Sequence, residues 1–398
     1  MSNLYWIVMP ENIRTLIKDK DFRKIVIIFI ICKIFVVSIA VGTQFFVPAT
    51  LVHTEKVTNN IFLNPFAQYD ATAYLDIAEN GYRENFSVYK IGNYQWYPLY
   101  PLLIKTFSFV SYPLSAFLVS NIASFLAITL LYALVNEELG KRAANRTIFY
   151  IIFFPTAFYF TVMYSESLFL LLSVATFYFA RKNNWLATGV LGFLASLTRI
   201  QGVLLLIPIA YMYMRHVGFD FGKIKKNALY ILGVPLGVLT FIFYEYIITG
   251  NAFVQFKNQA IFGKALSWPW TGFIHAVNSI FVDTTLINMS YHIYNLVITA
   301  FFIALLYVSY KKLKQEYTIY YAISLILVLM SSNLYGVSRY LLVTFPAFMA
   351  LATIDNKNNY VKYGIIIIYF IFILLMAGFI VLHVTERIST PLLYTPLF

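Results

Sequence analysis

Charge is scarce in this chain. Asp, Glu, Lys and Arg make up 12 % of its 398 residues, about half of what a soluble domain carries. That shortage excludes an ordinary globular protein in water. Cysteine is scarcer still: the single one, Cys32, lies in an apolar run and excludes an internal disulfide. The sequence contains neither a Walker-type phosphate loop nor a Gly-x-Gly-x-x-Gly stretch, so nothing in it supports a nucleotide-binding fold. The five histidines (53, 216, 275, 292 and 383) lack ligand spacing, and no His/Cys/carboxylate cluster reads as a zinc site. No metal and no cofactor is therefore expected. The first apolar run starts near Lys24 and has no small-residue cleavage site after it, which predicts an uncleaved anchor rather than a signal peptide. Internal repeats, low-complexity tracts and flexible linkers are also missing, so residues 1–398 are expected to form one transmembrane domain.

Apolar and aromatic residues are abundant, at 60 % and 19 % of the chain. A helix needs about 20 apolar residues to cross a bilayer. Spans are expected at 24–48, 113–135, 147–163, 166–180, 185–199, 202–215, 227–249, 291–310, 318–335, 339–354 and 361–384. Several are short, and Pro155 and Pro208 interrupt others. Both features predict broken or tilted helices covered by their neighbours. The expected fold is an all-α integral membrane bundle of about eleven transmembrane helices.

The formal net charge of +12 would suggest nucleic acid in a soluble chain. In a membrane chain the position of the charges decides, because cytoplasmic loops collect Lys and Arg. With the N-terminus inside, 19 of the 29 Lys and Arg fall on the cytoplasmic side, 9 outside, and Lys33 within the first span. The partners expected are membrane lipids, with no nucleic acid, and the protein is expected to be a multi-pass protein of the cell membrane or an endomembrane.

Two loops on the outer side, 49–112 and 250–290, are far longer than ordinary connections and so are expected to be functional. They carry Tyr69, Tyr74, Tyr82, Tyr94, Trp96, Tyr97, Trp268 and Trp270, residues suited to a membrane–water boundary. In the first loop, Ala71, Tyr74, Leu75 and Ala78 recur at helical spacing opposite Thr72, Asp76 and Glu79, predicting a short amphipathic helix. Asp70 stands at its N-cap position and Gly81 at its C-terminal cap. A second short helix is predicted after Pro98 and Pro101, with Leu99, Leu102 and Leu103 inward.

Ionisable residues near span ends are the sharpest chemical signal, because a charge at a helix centre costs about 2.5–3.5 kcal/mol on insertion scales. Asp70, Glu84, Glu166, Arg199, Glu245 and Arg339 all fall on the outer side and are expected to converge on one cavity. Each also has a plainer reading. Asp70 and Glu166 can be helix caps, Arg199 and Arg339 can snorkel to the interface, Glu84 can be a solvated loop residue, and Glu245 and Lys33 can be a buried pair.

The stretch from Gln68 through Tyr69, Asp70, Leu75, Ile77, Ala78 and Gly81 to Tyr82, followed by Trp96-Tyr97-Pro98-Leu99-Tyr100-Pro101, resembles the glycosylphosphatidylinositol mannosyltransferase II (PIG-V) family of GT-C glycosyltransferases. So do Tyr164-Ser165-Glu166-Ser167, Ser196-Leu197-Thr198-Arg199 with Gln201-Gly202, and Ser338-Arg339-Tyr340 before Phe345-Pro346. The family's Trp before the aspartate is Tyr69 here, its His falls at Ala73, and its Phe-Phe-Pro is Trp96-Tyr97-Pro98, which leaves the acceptor open. The composition, rich in Ile, Lys, Asn and Tyr, points to a prokaryotic, archaeal member.

The resemblance implies an inverting transfer of mannose or a similar hexose from a polyprenyl- or dolichyl-phosphate donor to a lipid- or protein-linked glycan acceptor. It also implies an extracytoplasmic site in which Asp70 is the general base. Arg199 and Arg339 are the candidates for the lipid phosphate, since a guanidinium fork suits phosphate. Tyr82, Trp96 and Tyr340 are candidates to face the sugar ring, and Glu84, Glu166 and Gln201 complete the substrate-binding set. A transporter or flippase of lipids or lipid-linked saccharides is the rival expectation. It calls for inverted repeats and paired broken helices, and the sequence shows no such symmetry.

Overall fold

A computed structural model describes residues 18–47, 58–84, 92–261, 265–283, 285–354 and 359–385. Parts of both long loops, at 48–57, 85–91, 262–264 and 284, lie outside the described residues. Apart from a single isolated bridge between Leu266 and Ser331, the regular structure described is helical.

The chain enters along α1 (Lys20–Phe46) and then forms two short helices of the first long loop, α2 (Asp70–Asn80) and α3 (Leu99–Thr106). There follow α4 (Tyr112–Leu139), α5 (Lys141–Ile152), α6 (Glu166–Arg181), α7 (Trp185–Thr198), α8 (Leu206–His216) and α9 (Gly233–Thr249). The second long loop contributes α10 (Val254–Ile261) and α11 (Thr271–Val282). The chain then runs through α12 (Leu286–Lys312), α13 (Gln315–Leu329), α14 (Val337–Leu342), α15 (Phe345–Ala352) and α16 (Asn359–Val384).

Each of the eleven expected stretches contains helix, but only five helices among the described residues are long and apolar enough to cross a membrane: Lys20–Phe46, Tyr112–Leu139, Lys226–Thr249, Leu286–Lys312 and Tyr363–Val384. The protein is a multi-pass membrane protein whose shorter apolar segments are broken. The stretch at 147–163 is the end of α5, a turn and a 3-10 helix (Ala157–Phe160); the stretch at 339–354 is split between α14 and α15.

Burial follows composition. On α1, Phe22, Ile25, Phe29, Cys32, Val36, Ala40 and Thr43 form one buried stripe, while Ile27, Ile30, Ile31 and Ile34 point away from the protein. A helix that is apolar on both faces suits lipid on one side and protein on the other. In contrast, α6 is buried nearly all round, packed between α4 and α7, and is the centre of the bundle. The amphipathic helix α2 buries Ala71, Tyr74, Leu75 and Ala78 as its spacing requires. Helix α3 meets expectation at Leu99 and Leu103, half-buried against the core, but Leu102 is exposed: the most buried positions are Tyr100, Pro101 and Ile104, and the Tyr100 hydroxyl bonds to the Ala116 carbonyl and to Ser120 on α4.

The run 153–165 between α5 and α6, broken apart from its one 3-10 turn, lies inside the bundle, where its backbone groups must find partners within the protein. Lys33 Nζ on α1 donates to the Phe160 carbonyl at 2.6 Å and to Asn121 Oδ1 at 2.9 Å. Asn121 Nδ2 and Ser120 Oγ on α4 reach the Thr161 and Tyr164 carbonyls, and the Met163 N–H donates to the Phe66 carbonyl. Lys33 thus holds the break, and the expected pairing with Glu245 is not formed. Glu245, on α9, instead accepts from Gln255 Nε2 at 3.0 Å.

One end of the bundle is tied by ion pairs: Lys141 with Asp19 and Asp21, Lys182 with Glu137, Arg181 and Lys314 with Glu138, and Arg215 with Glu316. Helix α6 connects this end, at Arg181, to the other, at Glu166, roughly 22 Å away at 1.5 Å per residue.

Helix α7 approaches α9 and the 3-10 turn before it (Lys226–Leu232) closely through small residues, as membrane helices commonly do. A Cβ on Gly189 would lie 2.0 Å from the Tyr230 carbonyl oxygen, and one on Gly237 would lie 2.3 Å from that of Phe193. Gly189→Ala is therefore expected to force α7 off its neighbour and lower the thermal unfolding midpoint in detergent, at a cost of about 1–3 kcal/mol. Gly42→Ala, with nothing within 4 Å of its Cβ, should leave the midpoint unchanged. Equal midpoints in the two variants would contradict the close approach.

Candidate functional site

Four charged side chains meet where four helix breaks come together. Glu166 is the first residue of α6 and follows the buried run 153–165. Arg199 stands in extended conformation between α7 and a 3-10 turn (Ile200–Leu205). Arg339 lies in α14, one turn beyond Gly336, whose φ of +70° suits glycine and whose N–H donates to the Tyr291 hydroxyl at 3.0 Å. Asp70 opens α2 directly after Tyr69, which has a φ of +53°.

The Tyr69 geometry corrects the capping expectation. Tyr69, not Asp70, occupies the N-cap, no side chain caps the helix, and the Asp70 carboxylate turns towards Arg339 instead. A tyrosine at positive φ is costly. Here it sets the direction of the next side chain.

Glu166 Oε1 accepts from Arg339 Nε at 2.5 Å and lies 2.9 Å from Arg199 Nη1. Arg339 Nη1 lies 2.6 Å from Asp70 Oδ2. The Glu166 side chain is fully buried, Arg199 and Arg339 are 11 % and 14 % exposed, and Asp70 is 29 % exposed. The cluster is thus layered, with a sealed carboxylate beneath, two arginines above it, and one carboxylate open at the top. Glu166, expected to contact substrate, lies beneath the arginines and anchors both. Ser165 supports the arrangement: its hydroxyl accepts from Arg199 Nη1 at 3.1 Å and lies 2.8 Å from the Tyr74 hydroxyl, whose ionisation burial pushes up.

Aromatic faces enclose the cations. The Arg339 guanidinium carbon lies 4.4 Å and 4.9 Å from the ring centroids of Tyr164 and Tyr159, and Arg199 lies 5.7 Å from that of Tyr340, within cation–π range. Tyr340 therefore belongs to the cluster. Beneath Tyr69, His383 of α16 contacts the rings of Tyr69, Phe158, Tyr159 and Tyr164, with centroids 5.2–6.1 Å apart. Gln201, two positions after Arg199, is buried, and its Oε1 has no hydrogen-bond partner among the described residues.

The other candidates lie elsewhere. Tyr82 donates to the Trp96 carbonyl at 2.6 Å and packs on Tyr94, Phe241 and Tyr244, in a cluster with Tyr97 on the α9 side. Burial pushes its phenol well up, so it stays a neutral donor. Trp96 is half-buried, and Glu84 is exposed with no ion pair among the described residues. Glu245 is part of the link between the two long loops: Gln255, which bonds it, also accepts from the Tyr97 hydroxyl at 2.9 Å. The loop after α2 is closed by Asp76, which pairs with Arg83 and accepts from Asn93 Nδ2 at 2.9 Å.

Sequence reasoning named Tyr74 only as an aromatic of the amphipathic helix, Ser165 only within the stretch Tyr164-Ser165-Glu166-Ser167 and His383 only as a scattered histidine, and it did not single out Tyr159. Among the described residues, no group of three or more His, Cys, Asp or Glu gathers at metal-binding distance.

No family model matches the chain, and no curated relative does. Among solved structures, ArnT from Cupriavidus metallidurans bound to undecaprenyl phosphate aligns with 90 % of this chain and 76 % of its own, at 10 % identity and a TM-score of 0.48. The same protein in the apo state gives 11 % identity and a TM-score of 0.49. The Archaeoglobus fulgidus oligosaccharyltransferase tethered with an acceptor peptide aligns with 90 % of this chain and 55 % of its own, at 15 % identity and a TM-score of 0.44. Likenesses this distant assign no residue and no substrate.

Glu166→Ala would leave two largely buried guanidiniums without their shared carboxylate. Breaking a buried pair in this way costs about 3–5 kcal/mol. The Ala variant should unfold at a markedly lower temperature in detergent, while Glu166→Gln, which keeps an acceptor oxygen, should lose less. An unfolding midpoint in Glu166→Ala equal to that of the wild type would contradict the anchoring role.

Proposed function

We propose that the protein is a GT-C-type glycosyltransferase that moves a mannose or similar hexose from a polyprenyl- or dolichyl-phosphate donor to a lipid- or protein-linked glycan, on the extracytoplasmic face. The observation that carries this reading is the layered cluster, in which an accessible carboxylate, Asp70, is paired with Arg339, one of two arginines held by one buried glutamate. A phosphate-leaving transfer needs a base on one side of the reacting carbon and cations on the other. The positive-inside bias of the loops supports the orientation.

In this reading the donor phosphate takes hydrogen bonds from Arg199 and Arg339, which offer more donors than two carboxylates can use. Engagement of Arg339 by phosphate loosens its hold on Asp70, which then accepts the proton of the acceptor hydroxyl. The hydroxyl oxygen forms a bond to the sugar's anomeric carbon as the bond from that carbon to the phosphate oxygen breaks. The configuration inverts, and the lipid phosphate leaves as an anion on the two arginines. Tyr340, beside both guanidiniums, offers a ring face to the sugar, and Gln201 Oε1 offers an acceptor to a sugar hydroxyl. Tyr82 and Trp96 suit the acceptor side, where both long loops meet.

The test is transfer from labelled polyprenyl-phosphate mannose to native lipid or glycan acceptors by the purified protein. A positioned base contributes about 10²–10⁴-fold, so Asp70→Asn should lower turnover by at least that lower figure while donor binding persists. Arg199→Ala should instead weaken donor binding by roughly ten- to a hundred-fold, as expected for a charged hydrogen-bond partner. Normal turnover by the Asn variant, or wild-type donor affinity in the Ala variant, would overturn the assignment.

A further inference from the structure

A polar concavity lies at the end of the bundle away from the Asp70 cluster. It has a volume of about 270 Å³ and is lined by Glu138, Leu139, Lys311, Lys312, Lys314 and Tyr317, among others. It forms where the tight α12–α13 connection folds over the C-terminal end of α4.

The charges around it are not balanced. Glu138 is sealed from solvent and already serves two cations, Arg181 and Lys314, the latter at 2.8 Å. Lys311 and Lys312 are exposed and meet no carboxylate among the described residues. The N-cap of α13, Lys314, makes no side-chain capping bond, so no side chain at that position serves the first-turn N–H groups. Free N–H groups at a helix start favour an anion.

The depth of the cavity is set by its neighbours. On α12, Ile303, Tyr307 and Tyr310 follow at helical spacing and are 43 %, 66 % and 69 % exposed, an apolar stripe that no part of the described chain covers. Lys311 Nζ sits 5.7 Å and 5.4 Å from the ring centroids of Tyr307 and Tyr310. Exposed tyrosines next to a lysine mark the headgroup level of a bilayer. The cavity therefore opens where lipid phosphates lie, with an apolar track for an acyl chain running down α12 from its mouth. Lys311 and Lys312 also suit the last turn of α12 electrostatically, which accounts for their presence but not for the cavity or the uncovered stripe.

We propose that this cavity binds the phosphate headgroup of an anionic membrane lipid, with Lys311 and Lys312 as its cations and the Ile303–Tyr310 stripe of α12 against the lipid tail. The proposal is independent of the transferase reading. Basic pockets between membrane helices are suited to such headgroups.

The test is the thermal unfolding midpoint of the full chain in neutral detergent, titrated with phosphatidylglycerol, phosphatidylcholine or inorganic phosphate. Phosphatidylglycerol should raise the midpoint saturably, and the other two should not. In the double variant Lys311→Gln/Lys312→Gln, which keeps much of the aliphatic length, the phosphatidylglycerol concentration for half the effect should rise by more than about tenfold. The control Lys20→Gln/Lys24→Gln, at the same end of the bundle but outside the cavity, should respond like wild type. Any of three results would overturn the proposal: an unaltered response in the Lys311/Lys312 variant, an equal response to phosphatidylcholine, or an equal response to inorganic phosphate, which would mark a soluble-anion site.

Discussion

The bond between a sealed carboxylate and two arginines organises this molecule. Glu166 and Arg339 are 173 positions apart in sequence and share a hydrogen bond at 2.5 Å, while Arg199 reaches the same oxygen from a third segment. Three charges inside a membrane bundle are affordable only together, because each alone would carry a desolvation penalty of several kcal/mol. Glu166 can sit there only because the chain before it leaves the helical path, and that departure is tolerated only because Lys33, Ser120 and Asn121 satisfy the freed carbonyls. A lysine on α1 with no contact to the cluster thus supports its geometry through the run 153–165.

The distribution of charge follows the same economy. A chain with 12 % charged residues places its ion pairs at the two ends of the bundle and leaves bare isoleucine and phenylalanine between them. At one end the pairs join connecting segments and close the bundle. At the other they join helix breaks and leave one carboxylate, Asp70, partly open. The two ends share a pairing chemistry: each seals a glutamate, Glu138 and Glu316 at one and Glu166 at the other, and each leaves paired carboxylates part-exposed, Asp19, Asp21 and Glu137 at one and Asp70 at the other.

Apolar runs translate directly into helices, which is why each of the eleven stretches read from the sequence contains one. The meeting of Asp70, Glu166, Arg199 and Arg339 was also legible, because an ionisable residue at the edge of an apolar run is rare enough to stand out. Side-chain direction was not. Asp70 reads as a cap by spacing, yet the positive φ of Tyr69 turns it to Arg339. Lys33 and Glu245 read as partners because both are charges in apolar helices, but each has a nearer neutral partner, the Phe160 carbonyl and Gln255. Glu84 and Glu245 share a side with the cluster without joining it. Tyr159 and His383 matter by facing Arg339 or Tyr69, and in a chain that is 19 % aromatic no pattern separates them from ordinary packing.

The central claim is that Asp70, Arg199 and Arg339 form one site for a sugar joined to a lipid phosphate. A cryo-electron microscopy structure of the protein in nanodiscs with a polyprenyl-phosphate hexose tests it most directly. The account predicts phosphate oxygens about 2.7–2.9 Å from the guanidinium nitrogens of Arg199 and Arg339, with Asp70 released from Arg339 and facing the anomeric carbon. A phosphate bound elsewhere, with the contacts of Asp70 and Glu166 to the arginines unchanged, would contradict it.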